Sequence, residues 1–575
     1  MSTTIEVNKQ SVEALLGSGK TKPFVIPEYQ RPYAWNDEQV ETLFEDLWDF
    51  TATSGGAERE GTYFLGSVVA YENEDGEQEI IDGQQRITSL FLLLRAIYTK
   101  LTAIPESERK AEAKNFISKI EPAIWRADKL TGTVDYRDIL LTSRVVNNDG
   151  NEILRSILET GEADGKAKDN YSKNYRHFQE LFDKHSTENP LMVYDFIYAL
   201  LNQAILLPIT TDTQDTALTI FSTLNDRGLP LSDADIFKAK IYNQLEESEK
   251  KAFIERWNDL DEQATDANES IQQLFYYSMF YYRALEQDTK TTTPGVRKYF
   301  ATNKFERLYN KELIETLFVI LNMWKVVNKG EEIEGEAWSK NVKIKQTLDT
   351  LSSYPNEFWK YPVIIYYVLY REEKDFELRF SLFLNKLLTE LMAKYLMAPN
   401  INAVKPDILK LNSAIVASKV PEFEFKPIDM KQLESHIQIP NRNVVRMLLK
   451  TLAYEQQDEL LPTKWEIEHI FPQKWQTNYF PNESDEIIKE KIEHIGNKLP
   501  FEKKLNIIAG NGYFSKKKEE YIESKIAITK DFGLENHTDW NMDSIIRRDV
   551  RVSDNIIKVL IRWRDDYSKY SCCEQ

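Results

Sequence analysis

The sequence predicts a multidomain α+β protein, mostly helical, and three observations carry that reading. Between residues 24 and 101, short apolar runs alternate with segments of helical period. From 250 to 430 the apolar period is helical almost throughout. Near the C-terminus a strand-like run, "KWEIEHIFPQKW" at 464–475, is followed by helical segments. The expected division is an N-terminal α/β domain over 1–245, a helical connector over 246–434, and a small domain over 435–575 that ends in a basic helix. A chain of 575 residues, 42% hydrophobic and 12% aromatic, can bury several cores.

The elements follow in order. The opening "MSTTIEVNKQ" leads into no apolar run, so no secretory signal is expected. "ALLGSGKT" at 14–21 fits a relaxed phosphate-loop spelling. Such a loop needs a strand before it and a helix after it. Here the order is reversed: a short helix capped by Ser11 stops at Gly17-Ser18-Gly19, and a strand-like run bounded by Pro23 and Pro27 follows. A helix-to-strand turn is the better reading. Phe24–Ile26 is then a strand, Glu38–Phe50 an amphipathic helix, Tyr63–Tyr71 a strand containing Gly66, and Glu79–Ile81 a short strand. Asp82-Gly83 makes a turn into a helix over Ile87–Leu101. At Asp82–Arg86 the strand–turn–helix context is therefore present. The first helical turn offers free N–H groups to an anion, and Arg86 supplies a planar fork suited to phosphate. The same residues also fit a purely structural arrangement, with Asp82 capping the helix and Arg86 pairing with it. Residue chemistry alone leaves both open.

"LMVYDFIYALLNQAILLPI" at 191–209 imitates a membrane span. It contains Asp195, Asn202, Gln203 and Pro208 and lacks basic flanks, so a buried helix followed by a strand is expected, with no membrane partner. Over 250–430 helices are expected at Ser270–Leu285, Leu308–Val327, Asn356–Tyr370 and Phe376–Leu396, with a polar loop at Lys329–Gly335. Dense aromatics such as "LFYYSMFYYRAL" at 274–285 read as packed core. The two cysteines, Cys572 and Cys573, support neither a disulfide framework nor a zinc site, which suits a reducing cytoplasm.

The net charge of −19 argues against nonspecific affinity for nucleic acid over the whole surface. Charge is uneven, however. Residues 489–530 hold ten lysines against six glutamates, and Arg547-Arg548-Asp549-Val550-Arg551 precedes a helix bearing Lys558, Arg562 and Arg564. This basic stretch adjoins the chemistry-bearing motif. Of six histidines, His469 and His494 both fall here, and Glu468-His469 sets a carboxylate beside an imidazole at a strand end. Asn497 and Asn506 follow. Hydrolysis of a phosphodiester needs a base for the water and a cation on the phosphate. An imidazole supplies the first, while a carboxylate and an amide oxygen are hard ligands suited to Mg²⁺.

Four stretches, "IPEYQRPYAW" at 26–35, "FLGSVV" at 64–69, "IIDGQQRITSL" at 80–90 and "IFSTLNDRGLPLSDADIFKAKI" at 220–241, together resemble the N-terminal domain of GmrSD restriction endonucleases over roughly residues 5 to 245. The resemblance implies a ParB/sulfiredoxin-like fold and binding or hydrolysis of ATP or GTP. It places Gln30, Arg31, Asp82, Gly83, Gln84, Gln85, Arg86, Asn225 and Gly228 around the nucleotide phosphates, Gln and Arg in contact and Asp82 helping a metal or water.

"KWEIEHIFPQKW", "HIGNKLPFEKKLNIIAGN" at 494–511 and "YFSKKKEEY" at 513–521 are similar to the HNH, or ββα-metal, nuclease module that accompanies such domains, over roughly 435 to 570. The resemblance implies His469 as general base, Glu468 and Asn506 as ligands of Mg²⁺ or Mn²⁺, Asn497 as the residue that shapes the loop, and Lys517 placed to meet phosphate. Two departures stand out: "GNL" reads Gly496-Asn497-Lys498 with Leu499 displaced by one, and Glu468 stands where many HNH enzymes have Asp. Together the resemblances imply an NTP-regulated, metal-dependent endonuclease acting in bacterial defence on modified phage DNA, such as DNA with glucosylated hydroxymethylcytosine or a phosphorothioate backbone. A nucleotide-dependent binding protein with an inactive HNH remnant and an RNA-cleaving abortive-infection effector fit the same motifs. Monomer and homodimer are both left open.

Overall fold

The computed structural model describes residues 5–128, 131–145, 149–224, 233–427, 429–475, 484–535 and 537–574. The fold is α+β and mostly helical, as the sequence predicts. It divides into two compact units, 1–259 and 260–575, so the expected connector from residue 260 onward shares one unit with the C-terminal region, while 246–259 belong to the first unit.

The first unit is built on a mixed sheet. Its strands are β1 (Ile5–Val7), β2 (Gln10–Ser11), β3 (Phe24–Ile26), β4 (Tyr63–Glu72), β5 (Gln78–Asp82), β8 (Leu141–Ser143) and β9 (Ala204–Thr211); β6 (Trp125–Ala127) and β7 (Val134–Ile139) form a separate ribbon. The strand order is β1-β9-β4-β5-β3-β8, with β2 also on β9. β9 runs parallel to β4, and β3 runs parallel to β5 and β8. Both faces are covered. Because successive side chains alternate across a strand, Val68 of β4 and Ile80 of β5 enter one core with the Gln84–Ala103 helix, while Val69 and Ile81 enter another with Ala217, Leu218 and Phe221. The "ALLGSGKT" stretch behaves as expected: a helix at Val12–Ser18, its first turn capped by the Ser11 hydroxyl accepting from Ala14 N at 3.3 Å, turns into β3. The apolar 191–209 stretch is a helix at Val193–Tyr198, a π-helical turn at Ala199–Gln203, and then β9. Among the described residues no helix is long and apolar enough to cross a membrane.

Among its described residues the second unit is helical except for one ribbon. The expected helices appear at Ile271–Leu285, Leu313–Lys329, Lys360–Tyr370 and Phe376–Met397. The second and third start later than their periodicity predicts, for the same reason. Asn310 and Asn356 each accept a hydrogen bond from the N–H two residues on, closing an Asx-type turn before the helix. The aromatic stretch is core: Phe280 stacks on Tyr361 at 3.7 Å and Tyr366 on Phe383 at 4.3 Å between ring centres. The ribbon pairs β10 (Trp465–His469) with β11 (Lys498–Glu502) antiparallel, and the Lys503–Ala509 helix packs on both strands. This ββα arrangement carries the histidine motif.

Leu93, fully buried in the Gln84–Ala103 helix, tests the larger core. Leu93→Ala is expected to destabilise the first unit by about 2–5 kcal/mol, read as a lowered urea midpoint.

Candidate functional site

The N-terminal motifs converge at the end of β5. Asp82 closes the strand, and Gly83 takes φ +91°, a backbone shape that favours glycine; a Cβ there would also sit 3.1 Å from Val68 Cγ2. The helix therefore starts at Gln84 with Gly83 as its N-cap and no side-chain cap, so Asp82 does not cap it. The first-turn N–H groups remain available. Arg86 donates to Ser67 O at 3.0 Å across β4, and Gly66, at φ +114°, makes room for it: a Cβ there would lie 3.0 Å from the guanidinium. "FLGSVV" and "DGQQR" thus meet through Gly66 and Arg86.

The third motif is pinned by two glutamines. Gln30 donates to Ile81 O at 3.0 Å. Gln85 accepts from Ala34 N at 2.7 Å and Trp35 N at 3.3 Å and donates to Pro32 O at 3.2 Å. Asn174, a residue the sequence reading did not single out, ties the same loop by donating to Trp35 O and the Tyr33 hydroxyl. Gln30, Gln85 and Arg86 accordingly position the loop and strand ends. Gln84 and Arg31 differ: neither side chain has a hydrogen-bond partner among the described residues, and Gln84 is only 7% exposed. Burial pushes the Asp82 carboxyl above its ordinary value, with the Gly83 N–H, Arg86 and Arg31 pulling the other way. The open donors at this helix start are therefore backbone N–H groups, the Gln84 amide and the Arg31 guanidinium, beside one carboxyl. Asn225 and Gly228 lie outside the described residues.

In the second unit β10 points Glu468 and His469 to opposite sides, as adjacent strand residues must. Glu468 is buried; its Oε1 accepts from Lys517 Nζ at 2.7 Å and from the Tyr521 hydroxyl at 2.6 Å. Lys517 also donates to His469 O at 2.6 Å and is 1% exposed. The lysine expected at phosphate is thus turned inward, because the buried Glu468 carboxylate requires a counter-charge.

His469 sits across the ribbon from Lys498. Lys498 donates to Glu493 O at 2.7 Å and Glu493 Oε2 at 2.8 Å, and Glu493 Oε1 lies 3.8 Å from His469 Nε2. Burial, reinforced by Lys498 and Lys517 and opposed by Glu493, lowers the imidazole to about 4. It is therefore neutral at neutral pH, the state in which it can accept a proton. The Lys498 departure from "GNL" contributes to that state.

Asn497 is fully buried with its amide completely used. Its Oδ1 accepts from Phe471 N at 2.7 Å and Trp540 Nε1 at 3.2 Å, and its Nδ2 donates to Phe471 O and Ile492 O. It thereby fixes the backbone just after His469. Asn506, on the Lys503–Ala509 helix, is half-buried and its amide has no partner among the described residues. Arg548 and Asp549, counted from sequence in a basic stretch, instead face inward. Arg548 Nη1 donates to the carbonyls of Ile495, Gly496 and Lys498; Asp549 accepts from Gly496 N at 2.6 Å and pairs with His494 Nδ1 at 2.6 Å.

The expected metal ligands do not fit a preformed cation site. Among the described residues no three His, Cys, Asp or Glu side chains converge on one point, and Lys517 already neutralises the Glu468 carboxylate.

Residues 12–242 match the family described as GmrSD restriction endonuclease, N-terminal domain, and residues 428–554 match GmrSD restriction endonucleases, C-terminal domain. No curated protein matches the chain.

Two outcomes are expected here. Gly496→Ala places a Cβ 2.3 Å from Ile545 O, a backbone atom, so it should cost at least about 1–3 kcal/mol in thermal denaturation. The His469 ring should titrate near pH 4 by NMR. Because its folded value lies below that of the unfolded chain, its contribution to stability is whole above about pH 6.5 and declines as pH falls towards 4.

Proposed function

We infer that this chain, which belongs to the GmrSD restriction endonuclease family, is a DNA endonuclease whose hydrolytic centre is His469. The observation that carries the assignment is a half-buried imidazole at the end of β10, neutral at physiological pH and held by a ββα frame whose loop is locked by Asn497. In that role neutral His469 takes the proton of the attacking water as its oxygen bonds to phosphorus, the scissile P–O bond breaks, and the departing oxygen takes a proton from solvent. Burial, with Lys498 beside it, keeps the imidazole unprotonated, and Glu493, held by Lys498, lies 3.8 Å from its Nε2, beside the ring once it is protonated.

The regulatory half of the reading rests on the first unit. ATP or GTP would place a phosphate at the helix start after Gly83, against the Gln84 amide and the Arg31 guanidinium, with Gln30, Gln85 and Arg86 holding the surrounding backbone. The substrate proposed is modified phage DNA in the bacterial cytoplasm, cut as a defence. Exposed lysines near the ribbon, among them Lys503, Lys504, Lys516 and Lys525, offer the phosphate backbone a local positive face within an acidic chain. One observation favours the alternative of a binding protein with an inactive nuclease remnant: the Glu468 carboxylate is already paired with Lys517.

Supercoiled plasmid, plain or carrying glucosylated hydroxymethylcytosine, separates these readings when incubated with and without Mg²⁺ or Mn²⁺ and with and without NTP. His469→Ala is expected to lower cutting by about 10²–10⁴-fold. Gln84→Ala is expected to remove the NTP response and leave NTP-free cutting unchanged. Equal results for wild type and His469→Ala would end the assignment of His469, and cleavage confined to RNA would replace the DNA substrate.

A further inference from the structure

A cavity of about 430 Å³ lies in the second unit, between the end of the Leu313–Lys329 helix, the Val342–Leu351 and Val445–Tyr454 helices, and the segment that leads into β10. Its volume is in the range of small-ligand sites. Its lining is unusual for a chain of net charge −19: Lys329, Lys345, Arg446 and Lys450 face it with one carboxylate, Asp349. That carboxylate is already shared, since Lys450 Nζ lies 2.9 Å from its Oδ2 and the Tyr454 hydroxyl donates to the same oxygen. Lys450 is 6% exposed, and a buried ammonium is stable only beside negative charge. Lys345 reaches no carboxylate but the Gly330 carbonyl at 3.2 Å, and Lys329 has no partner among the described residues. Arg446 reaches Glu466 only at 3.4 Å and lies 4.4 Å over the ring of Trp465, which walls the cavity with Leu460 and Pro462.

We propose that this cavity binds a phosphate ester of nucleotide size, its phosphate among Lys329, Lys345 and Arg446 and its less polar part against the Trp465 wall. Two of these four cations, Lys329 and Lys345, face no carboxylate among the described residues and Arg446 holds its own only at 3.4 Å, so the space carries more positive than negative charge and suits an anion. The fork of Arg446 with two flexible ammonium groups suits a phosphate. The site is distinct from the helix start at Gln84, which belongs to the other unit, and from His469. It adjoins the latter's strand, because Trp465 begins β10 and His469 ends it. A free nucleotide and the terminal phosphate of a nucleic-acid strand present the same chemistry to it.

Isothermal titration of the full chain with ATP, with GTP and with a 5′-phosphorylated dinucleotide distinguishes the two sources. The variants are Lys329→Glu/Lys345→Glu, whose side chains are accessible enough not to disturb the core, Arg446→Gln, and Gln84→Ala as the control at the other site. The expected result is that the cavity variants weaken at least one probe by about tenfold or more, the loss for a charged hydrogen bond, while Gln84→Ala leaves that component intact. A component seen with ATP or GTP identifies free nucleotide; one seen only with the dinucleotide identifies a strand end. Binding of every probe unchanged in both cavity variants, or no binding by the wild type, overturns the proposal. Loss confined to Gln84→Ala overturns it too, while supporting the nucleotide site of the first unit. Unchanged thermal melting of the variants excludes unfolding as the cause.

Discussion

Much of the C-terminal centre follows from one constraint: the turn from His494 to Lys498 is buried, and its backbone polar groups must be answered from other elements. A buried N–H or carbonyl left unpaired costs about as much as a lost hydrogen bond. Gly496 lies so close to Ile545 O that no side chain fits, so the answering groups must come to the turn. Asp549 accepts from its N–H, and Arg548 reaches three of its carbonyls from the Met542–Glu574 helix. Asn497 then transmits the order in the other direction, tying the turn to Phe471 and so fixing the chain that leaves His469. Position of the imidazole is thus a consequence of hydrogen-bond satisfaction three elements away.

The N-terminal unit solves a comparable problem with glutamines. A sheet covered on both faces leaves its ligand-accessible backbone at the strand ends, where chain segments lack ladder partners. Gln30 and Gln85, each with a donor and an acceptor, tie the loop at 30–35 to β5 and to the helix that follows it. Gly66 serves Arg86 by being absent, since its missing side chain is the space that the guanidinium needs. Three motifs far apart in sequence become one wall around the start of the Gln84–Ala103 helix.

Charge is distributed with similar economy. Several cations that sequence composition places on a basic face are internal. Lys517 neutralises Glu468, Lys498 holds Glu493, Lys518 donates to the Glu535 and His537 carbonyls, and Arg548 is buried in the turn. What remains outside is a smaller set of lysines, so attraction to a polyanion is local and sensitive to salt. The basic cavity beside Trp465 is the opposite case, four cations gathered from three helices that are well separated in sequence.

The sequence by itself determined the element types, the rejection of the phosphate-loop spelling, and the membership in one family of both terminal regions. Periodicity, glycines at turns and local motif order are properties of neighbouring residues, and these survive folding unchanged. Helix starts at Leu313 and Lys360 escaped because an Asn side chain can outcompete periodicity at a boundary. Asn497 was legible as a loop-shaping residue only through the family resemblance, whereas Asn174, Glu493 and Tyr521 gave little signal, each being ordinary in its own segment. Only the tertiary structure decided which of the neighbouring motif residues are engaged by the rest of the chain and which are left open. Gln85 ties the loop while Gln84 has no side-chain partner among the described residues. Glu468 is buried against Lys517 and Tyr521 while His469 lies on the other side of the strand, and Arg548 is buried in the turn while Arg547 is exposed. In each pair the neighbours share chemistry or motif. They are separated by the direction in which strand or helix turns the side chain, and by what another part of the chain brings to meet it.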